Sequence, residues 1–427
     1  MKEIFFAQLQ ETLYYQKMNN GLDVYILPKK GFHKTYATFT TKYGSIDNEF
    51  VPLGKKEMIR VPDGIAHFLE HKLFEKEDGD VFQSFSKQGA SSNAFTSFTR
   101  TAYLFSSTSN VEKNLETLLD FVQSPYFTEQ TVEKEKGIIA QEINMYQDNP
   151  DWRLYFGLIQ NMYEKHPVRI DIAGTVDSIQ NITKDLLYEC YETFYHPGNM
   201  LLFVVGPVDP KHILKLVEEN QQQKDFKPQN EIIKKEVHER EEVLKPLEKI
   251  PMHVQSSKCF VGLKAKKPFR TGNEMLIYEL TMGLILEMLF GKSSQAYLEM
   301  YEKGLIDDTF SFDYTEEYSF GFAIIGGDTD QPDNLAESIQ TTLLKSRKSS
   351  FRQEELENAK KKKIGSLLRA CNSPEFIANQ FTRYKFYDIN LFDIVPALEN
   401  ITMKDITAVL NDAVEEKQMT VCQVVPK

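Results

Sequence analysis

The chain has 427 residues, a formal net charge of -12 at pH 7 and four cysteines. That length suggests two or more domains with substantial cores, and the acidic balance argues against a nucleic-acid partner. No apolar run is long enough to span a bilayer, the longest being Leu201 to Val205. The stretch Met1 to Gln8 has no apolar signal-peptide core. Cys190, Cys259, Cys371 and Cys422 lie far apart and form no C-x-x-C pair, so neither a disulfide framework nor a cysteine metal site is indicated. The expectation is a cytoplasmic protein with reduced thiols and no membrane contact.

In chain order, the turn Asn19-Asn20-Gly21 precedes a strand over Leu22 to Leu27, and Thr35 to Thr40 reads as a second strand. Ile65 to Phe74 reads as a helix, with Pro62, Asp63 and Gly64 giving it a capped start and Ile65, Phe68, Leu69 and Leu73 an apolar stripe. A helix around Val81 to Lys87 ends at Gly89. The strands Ser92 to Phe98 and Thr101 to Ser107 follow. Helices are expected over Val111 to Gln123, Thr131 to Met145 and Asp151 to Tyr163, and Met200 to Val205 is a strand that closes the first half. Residues 219–250, rich in glutamine, lysine and glutamate with Pro228 and Pro246 as breakers, read as a linker with some strand at its C-terminal end. A long charged loop inside one domain is the alternative reading.

The second half repeats the first. Leu289-Phe290 matches Leu73-Phe74, Tyr297 to Gly304 matches Phe82 to Gly89, Thr309 to Phe312 matches Ala94 to Ser97, and Asn372 to Phe376 matches Asp148 to Trp152. Shared order at an offset of about 215 to 225 residues implies two copies of one α/β unit, with strands joined by helices on one face. The expected division is an N-terminal domain over 1–218, the linker over 219–250 and a homologous C-terminal domain over 251–427.

Chemistry concentrates in the first copy. His67 and His71 are i and i+4, so both imidazoles leave one side of the helix a turn apart and can reach one metal ion. Glu70 flanks the same face, placed to act on water beside a metal without being a ligand. This is H-x-x-E-H, the reverse of the commoner H-E-x-x-H zinc motif. A hydrolytic zinc site wants a third protein ligand, and Glu142 fits, with Glu135 two turns earlier on the same helix face. Opposite His67, Glu70, His71 and Glu142 the second half has Gly283, Leu286, Glu287 and Ser366, so only the first copy can hold a metal.

The motif His67-Phe68-Leu69-Glu70-His71, the pair Glu135 and Glu142, and the stretch Gly89 to Thr96 with Asn93-Ala94 at its centre together resemble the pitrilysin/insulinase family of inverted-motif zinc metallopeptidases, over both halves and most closely its short bacterial members. The resemblance implies an α+β fold of two homologous α/β domains, each an antiparallel-rich sheet with helices on one face, in a clam-shell pair. It implies a zinc-dependent endopeptidase with one Zn2+ per chain, held by His67, His71 and Glu142, with Glu70 as general base and Glu135 orienting a histidine ligand. Asn93 and Ala94 would lie on an edge strand that pairs with an extended peptide substrate. On the residues alone, Glu135 reads equally as a solvated helix residue and Asn93 as a turn residue.

One departure from the family pattern matters. Its second half usually carries R-x-x-x-G-L-x-Y, whose Arg and Tyr contact the substrate carbonyl. Here Gly304 and Leu305 are kept, but Met300 and Asp307 stand at the Arg and Tyr positions, and Arg383-Tyr384 does not fit the spacing. The expected partner is therefore a paralogous subunit carrying that pair, in a dimer closed around a chamber. Two other readings stay open: a non-catalytic peptide-binding or assembly subunit of such a complex, and a zinc site that serves only the fold.

Overall fold

The structure is a computed structural model and describes residues 1–77, 79–226, 229–266, 269–348 and 351–427. Pro228, one of the expected breakers, lies outside the described residues. The chain opens with β1 (Lys2–Phe6), β2 (Glu11–Lys17), β3 (Asp23–Pro28), β4 (Thr35–Thr41), and two short strands β5 (Glu49–Phe50) and β6 (Ile59–Arg60). Then come α1 (Ile65–Leu73), the small strands β7 (Glu75–Lys76) and β8 (Gly79–Asp80), α2 (Val81–Lys87), β9 (Ala90–Thr96) and β10 (Thr101–Ser107). The first half continues through α3 (Val111–Val122), α4 (Glu129–Asp148), α5 (Pro150–Met162), α6 (Val176–Ile179), α7 (Lys184–Phe194), β11 (Met200–Gly206) and α8 (Pro210–Gln222). The second runs β12 (Leu247–Met252), β13 (Ser257–Lys264), α9 (Gly272–Phe290), α10 (Gln295–Glu302), β14 (Ser311–Glu317) and β15 (Phe320–Thr329). It ends with α11 (Pro332–Ser346), α12 (Gln353–Ala370), α13 (Pro374–Lys385), α14 (Ile394–Asn400), α15 (Met403–Ala413) and β16 (Met419–Pro426).

The repeat expected from sequence is built into both sheets. The first is ordered β1-β2-β3-β11-β4-β10-β9 and the second β12-β16-β13-β15-β14. Remove β1 and β2, and the two orders coincide strand for strand. Even the single parallel pair recurs, β11 with β3 and β16 with β12, while the other pairings in both sheets are antiparallel. A buried lysine repeats too. Lys136 Nζ donates to the Gln180 carbonyl at 3.0 Å and its counterpart Lys360 to that of Glu399 at 3.1 Å, each with a glutamate three residues earlier as its ion partner. The expected linker begins inside α8 and ends in β12. Between them Val51 N–H donates to the Ile233 carbonyl and Lys235 N–H to that of Glu49, tying the segment to β5.

Packing groups the residues differently from their order in the chain. One compact unit comprises Met1–Ile143, Asp171–Lys235 and Ala370–Phe386; the other comprises Asn144–Ile170, Glu236–Arg369 and Tyr387–Lys427. Each unit thus contains a helix from the opposite half of the sequence. In the first, Tyr103, Phe39 and Leu202 form one row across the sheet, and Phe74 and Phe121 pack on Tyr103 at 5.9 and 5.7 Å between centroids. The adjacent row, with Phe203 and Tyr25, points to the reverse face because side chains alternate along a strand. There Phe381 of α13 sits 4.6 Å from Phe203 and 4.9 Å from Tyr25. In the other unit α5, encoded in the first half, packs on β12, β13 and β16. Apolar spacing marks α5 as a helix but does not say which sheet it covers.

Candidate metal centre

α1 is buried on almost every side: Ile65, Ala66, His67, Phe68, Leu69, Glu70, Lys72 and Leu73 are all buried, and only His71 is partly open. Such a helix is fixed by what surrounds it rather than by its own propensity. Its start differs from a side-chain cap. Gly64 is the N-cap, at φ 91°, and the Asp63 carboxylate is engaged by Asn48 and Arg60 instead. A Cβ on Gly64 would lie 2.3 Å from the Ala173 carbonyl oxygen, and one on Gly174 2.4 Å from the Asp63 oxygen. Two glycines with positive φ therefore let the 171–175 loop lie against the first turn of α1 and fix where His67 emerges.

The three expected ligands converge. One ligand atom from each of His67, His71 and Glu142 lies within 4.8 Å of the others, the one such group among the described residues. His67 Nε2 is 3.7 Å from Glu142 Oε1, and His71 Nε2 is 3.5 Å from Oε2. Both separations exceed a hydrogen bond. They approach the spacing of roughly 3.3 Å between neighbours around a tetrahedral ion with bonds near 2.0 to 2.1 Å. The donor set of two imidazoles and one carboxylate suits zinc. His71 Nδ1 is 3.0 Å from Glu135 Oε1, which leaves Nε2 as its ligand atom. The rings of His67 and His71 meet edge-on with centroids 4.6 Å apart.

Electrostatics follow from burial and this crowding. Burial, assisted by neighbouring His71, pushes the pKa of His67 down to about 4, so its imidazole is neutral and able to ligate. For His71, burial opposes protonation, but the Glu135 hydrogen bond and the Glu70, Glu142 and Glu135 carboxylates outweigh it and raise its pKa. Burial alone would raise Glu135; its bond to His71 and the charges of His71 and Lys72 bring it below the usual range. Glu70 is raised, chiefly by burial, while a hydrogen bond from Thr96 works the other way.

β9, carrying Asn93 and Ala94, is the edge of the first sheet, paired only with β10 among the described strands. Asn93 is exposed and Ala94 half-buried. Thr96, the last residue of β9, donates from Oγ1 to Glu70 Oε2 at 2.8 Å. Sequence reasoning gave Thr96 no role, although it ends the stretch on which the family resemblance rests.

At the counterpart positions in the second half, Glu287 pairs with Lys362 at 2.5 Å and Leu286 is buried. Met300 is fully buried in α10, and the Asp307 carboxylate accepts from Thr309 N–H at 2.8 Å and from its hydroxyl at 2.6 Å. Both side chains are thus committed within their own surroundings. Arg383 lies over the Tyr384 ring, and Tyr384 is buried. All four cysteines are free. Among the described residues no helix is long and apolar enough to cross a membrane.

Comparison with known proteins agrees with the geometry. Residues 60–176 match the family described as insulinase (peptidase family M16), and residues 181–363 match the peptidase M16 inactive domain. The chain is 68% identical to the uncharacterized zinc protease YmfH of Bacillus subtilis over the whole length of both, and 26% identical to the zinc protease PqqE of Helicobacter pylori over 94% of this chain and 90% of that one. An M16-like peptidase from Alicyclobacillus acidocaldarius superposes with a TM-score of 0.94 at 39% identity, covering 98% of this chain and 99% of its own. Two matched family domains, a full-length relative and a shared fold leave one conclusion: the chain belongs to the insulinase family of peptidases, family M16.

Proposed function

We propose that the chain is a zinc-dependent endopeptidase, or the catalytic subunit of one, acting on peptides bound in extended form. The observation that carries this reading is the convergence of His67, His71 and Glu142, with Glu135 behind the His71 imidazole and Glu70 close enough to feel the charges of His71 and Glu142. His67, His71 and Glu142 would hold one zinc. When bound, zinc supplies Lewis acidity, which makes water a nucleophile near neutral pH and polarises a carbonyl. Glu70 takes the proton of the attacking water and delivers it to the leaving amine nitrogen. A purely structural site would need no such base. Glu135 holds His71 by Nδ1 and keeps Nε2 turned to the metal. The exposed edge of β9 at Asn93 and Ala94 offers backbone groups to an extended peptide. In this reading the metal chemistry belongs to the sequence domain 1–218, with a metal-free counterpart in 251–427, and the protein works in the cytoplasm.

Met300 and Asp307 stand at the family's Arg and Tyr positions, one buried and the other held in its own turn, so the second half offers no Arg/Tyr pair there. A homodimer would duplicate that lack. A paralogue with R-x-x-x-G-L-x-Y would supply it, and losing one oxyanion donor costs about 10² to 10³ in rate. The second reading, a non-catalytic peptide-binding or assembly subunit, draws on the match of residues 181–363 to a domain described as inactive, a match that a metal-free second half gives in either reading. Peptide hydrolysis by the chain alone, by the chain with such a paralogue, and by Glu70→Gln in both settings separates the two. Cleavage that rises on adding the paralogue and falls about 10²- to 10⁴-fold in Glu70→Gln supports the enzyme. No cleavage by the parent in either setting refutes it, and full activity of the chain alone, unchanged by the paralogue, refutes the pairing.

A further inference from the structure

Glu70 is buried, and among the described residues Thr96 alone donates a hydrogen bond to its carboxylate. Thr96 donates to it from Oγ1 at 2.8 Å. Thr96 is itself backed from behind. It stands opposite Thr101 in the β9–β10 ladder, with Thr101 Oγ1 3.5 Å from Thr96 Oγ1. Thr101 is fully buried and donates to the Tyr43 carbonyl at 2.9 Å, so the Thr96 hydroxyl is left to point its proton at Glu70. A buried carboxylate that accepts such a bond has few rotamers left. Its location is as informative as its geometry. Thr96 is the last residue of β9, three beyond Asn93, and β9 is the unpaired edge of the sheet.

We propose that Thr96 is the positioning residue of the general base Glu70, and that a peptide added to the edge of β9 steadies the base through it. The inference rests on the peptidase reading above. A strand that gains a partner loses motion along its length, because each added ladder bond removes backbone freedom. The end of β9 carries the hydroxyl donor to Glu70, so ordering β9 orders the base in the same event. Substrate engagement and base alignment are then one movement, made by a residue that touches neither the scissile bond nor the ligands.

The test uses the full chain with its paralogue, an unstructured peptide as substrate, and the variants Thr96→Val, Thr96→Ser, Glu70→Gln and Thr96→Val/Glu70→Gln. Valine keeps the shape of threonine and removes the hydroxyl donor. Loss of a hydrogen bond to a charged group predicts that kcat falls about 10- to 100-fold, with KM changed less than about twofold. Thr96→Ser restores the donor and recovers kcat to within about threefold of the parent. Zinc content stays at the parent level in all four. Adding Thr96→Val to Glu70→Gln causes no further loss, because the donor then has no base to place. Thr96→Val at the parent kcat, or equal losses in the valine and serine variants, overturns the role of Thr96 while leaving the peptidase reading intact. A parent that cleaves nothing, with or without the paralogue, overturns the peptidase reading and this inference with it.

Discussion

Replacing Glu135 tests the reasoning at the point where structure says most about metal affinity. Its carboxylate meets His71 Nδ1 at 3.0 Å, and the charge of Lys72 helps keep it ionised. A charge-assisted bond of this kind is roughly twice as strong as its neutral equivalent. Glu135→Gln keeps a carbonyl acceptor at the same reach and loses only the charge, so zinc affinity should fall about tenfold. Glu135→Ala removes acceptor and charge together and frees the ring to turn, so the loss should approach 100-fold. These limits correspond to about 1.4 and 2.8 kcal/mol, the range expected when a partner behind a ligating histidine is removed. The bond that makes His71 a better ligand also raises its proton affinity. The comparison therefore belongs at alkaline pH, where protons no longer compete for the ring. Competition against a zinc chelator of known affinity gives the constants directly. Glu135→Ala binding zinc as tightly as the parent would refute the argument that Glu135 supports the site.

Two predictions concern the fold. Phe381 is fully buried against Tyr25 and Phe203, so Phe381→Ala should cost about 3 to 5 kcal/mol in the urea stability of the unit that carries the metal residues, and a fragment ending at residue 218 should bind an apolar-surface dye because those two rings are left bare. Wild-type stability of Phe381→Ala would show that α13 does not belong to that sheet. His166 is held neutral by burial, its pKa pushed down to about 4 against an ordinary 6.5 in the unfolded chain, with Glu239 pulling up and Lys264 pushing down. The folded-state value is depressed, so the unfolded chain binds the extra proton as pH falls from 6.5 towards 4, and stability drops over that window. On the order of 2 kcal/mol should be lost from this group between pH 7 and pH 5. Urea midpoints of the parent and His166→Asn over that range test it: the variant should show the shallower slope, and equal slopes would count against the assignment.

Much of the fold could be read from the sequence because the signals are local. His67 and His71 at i and i+4, the apolar periodicity of α3, and the alternation in β4 and β10 each depend on neighbours along the chain, and the structure has those elements within a residue or two of expectation. The repeat was legible because two copies leave correlated traces, down to the sheet order. What remained hidden depends on distant packing. The first-turn glycine contact between Gly64 and the 173–174 backbone joins residues more than a hundred positions apart. Which sheet receives α5 or α13 is decided by complementary surfaces that leave no periodic trace. The N-terminal strands β1 and β2 went unread because Glu11–Lys17 mixes polar and aromatic residues without a clean alternation. Thr96 could have been found: once Glu70 was taken as a base, a hydroxyl on the strand of the same signature was the natural place to look.

The metal centre itself is tested most directly by counting zinc. Parent protein and a His67→Ala/His71→Ala variant, purified identically and dialysed against trace zinc, are compared by elemental analysis, with circular dichroism to establish that both are folded. The account predicts about one zinc per chain in the parent and essentially none in the variant. Equal zinc in both, or none in a folded parent, would contradict it.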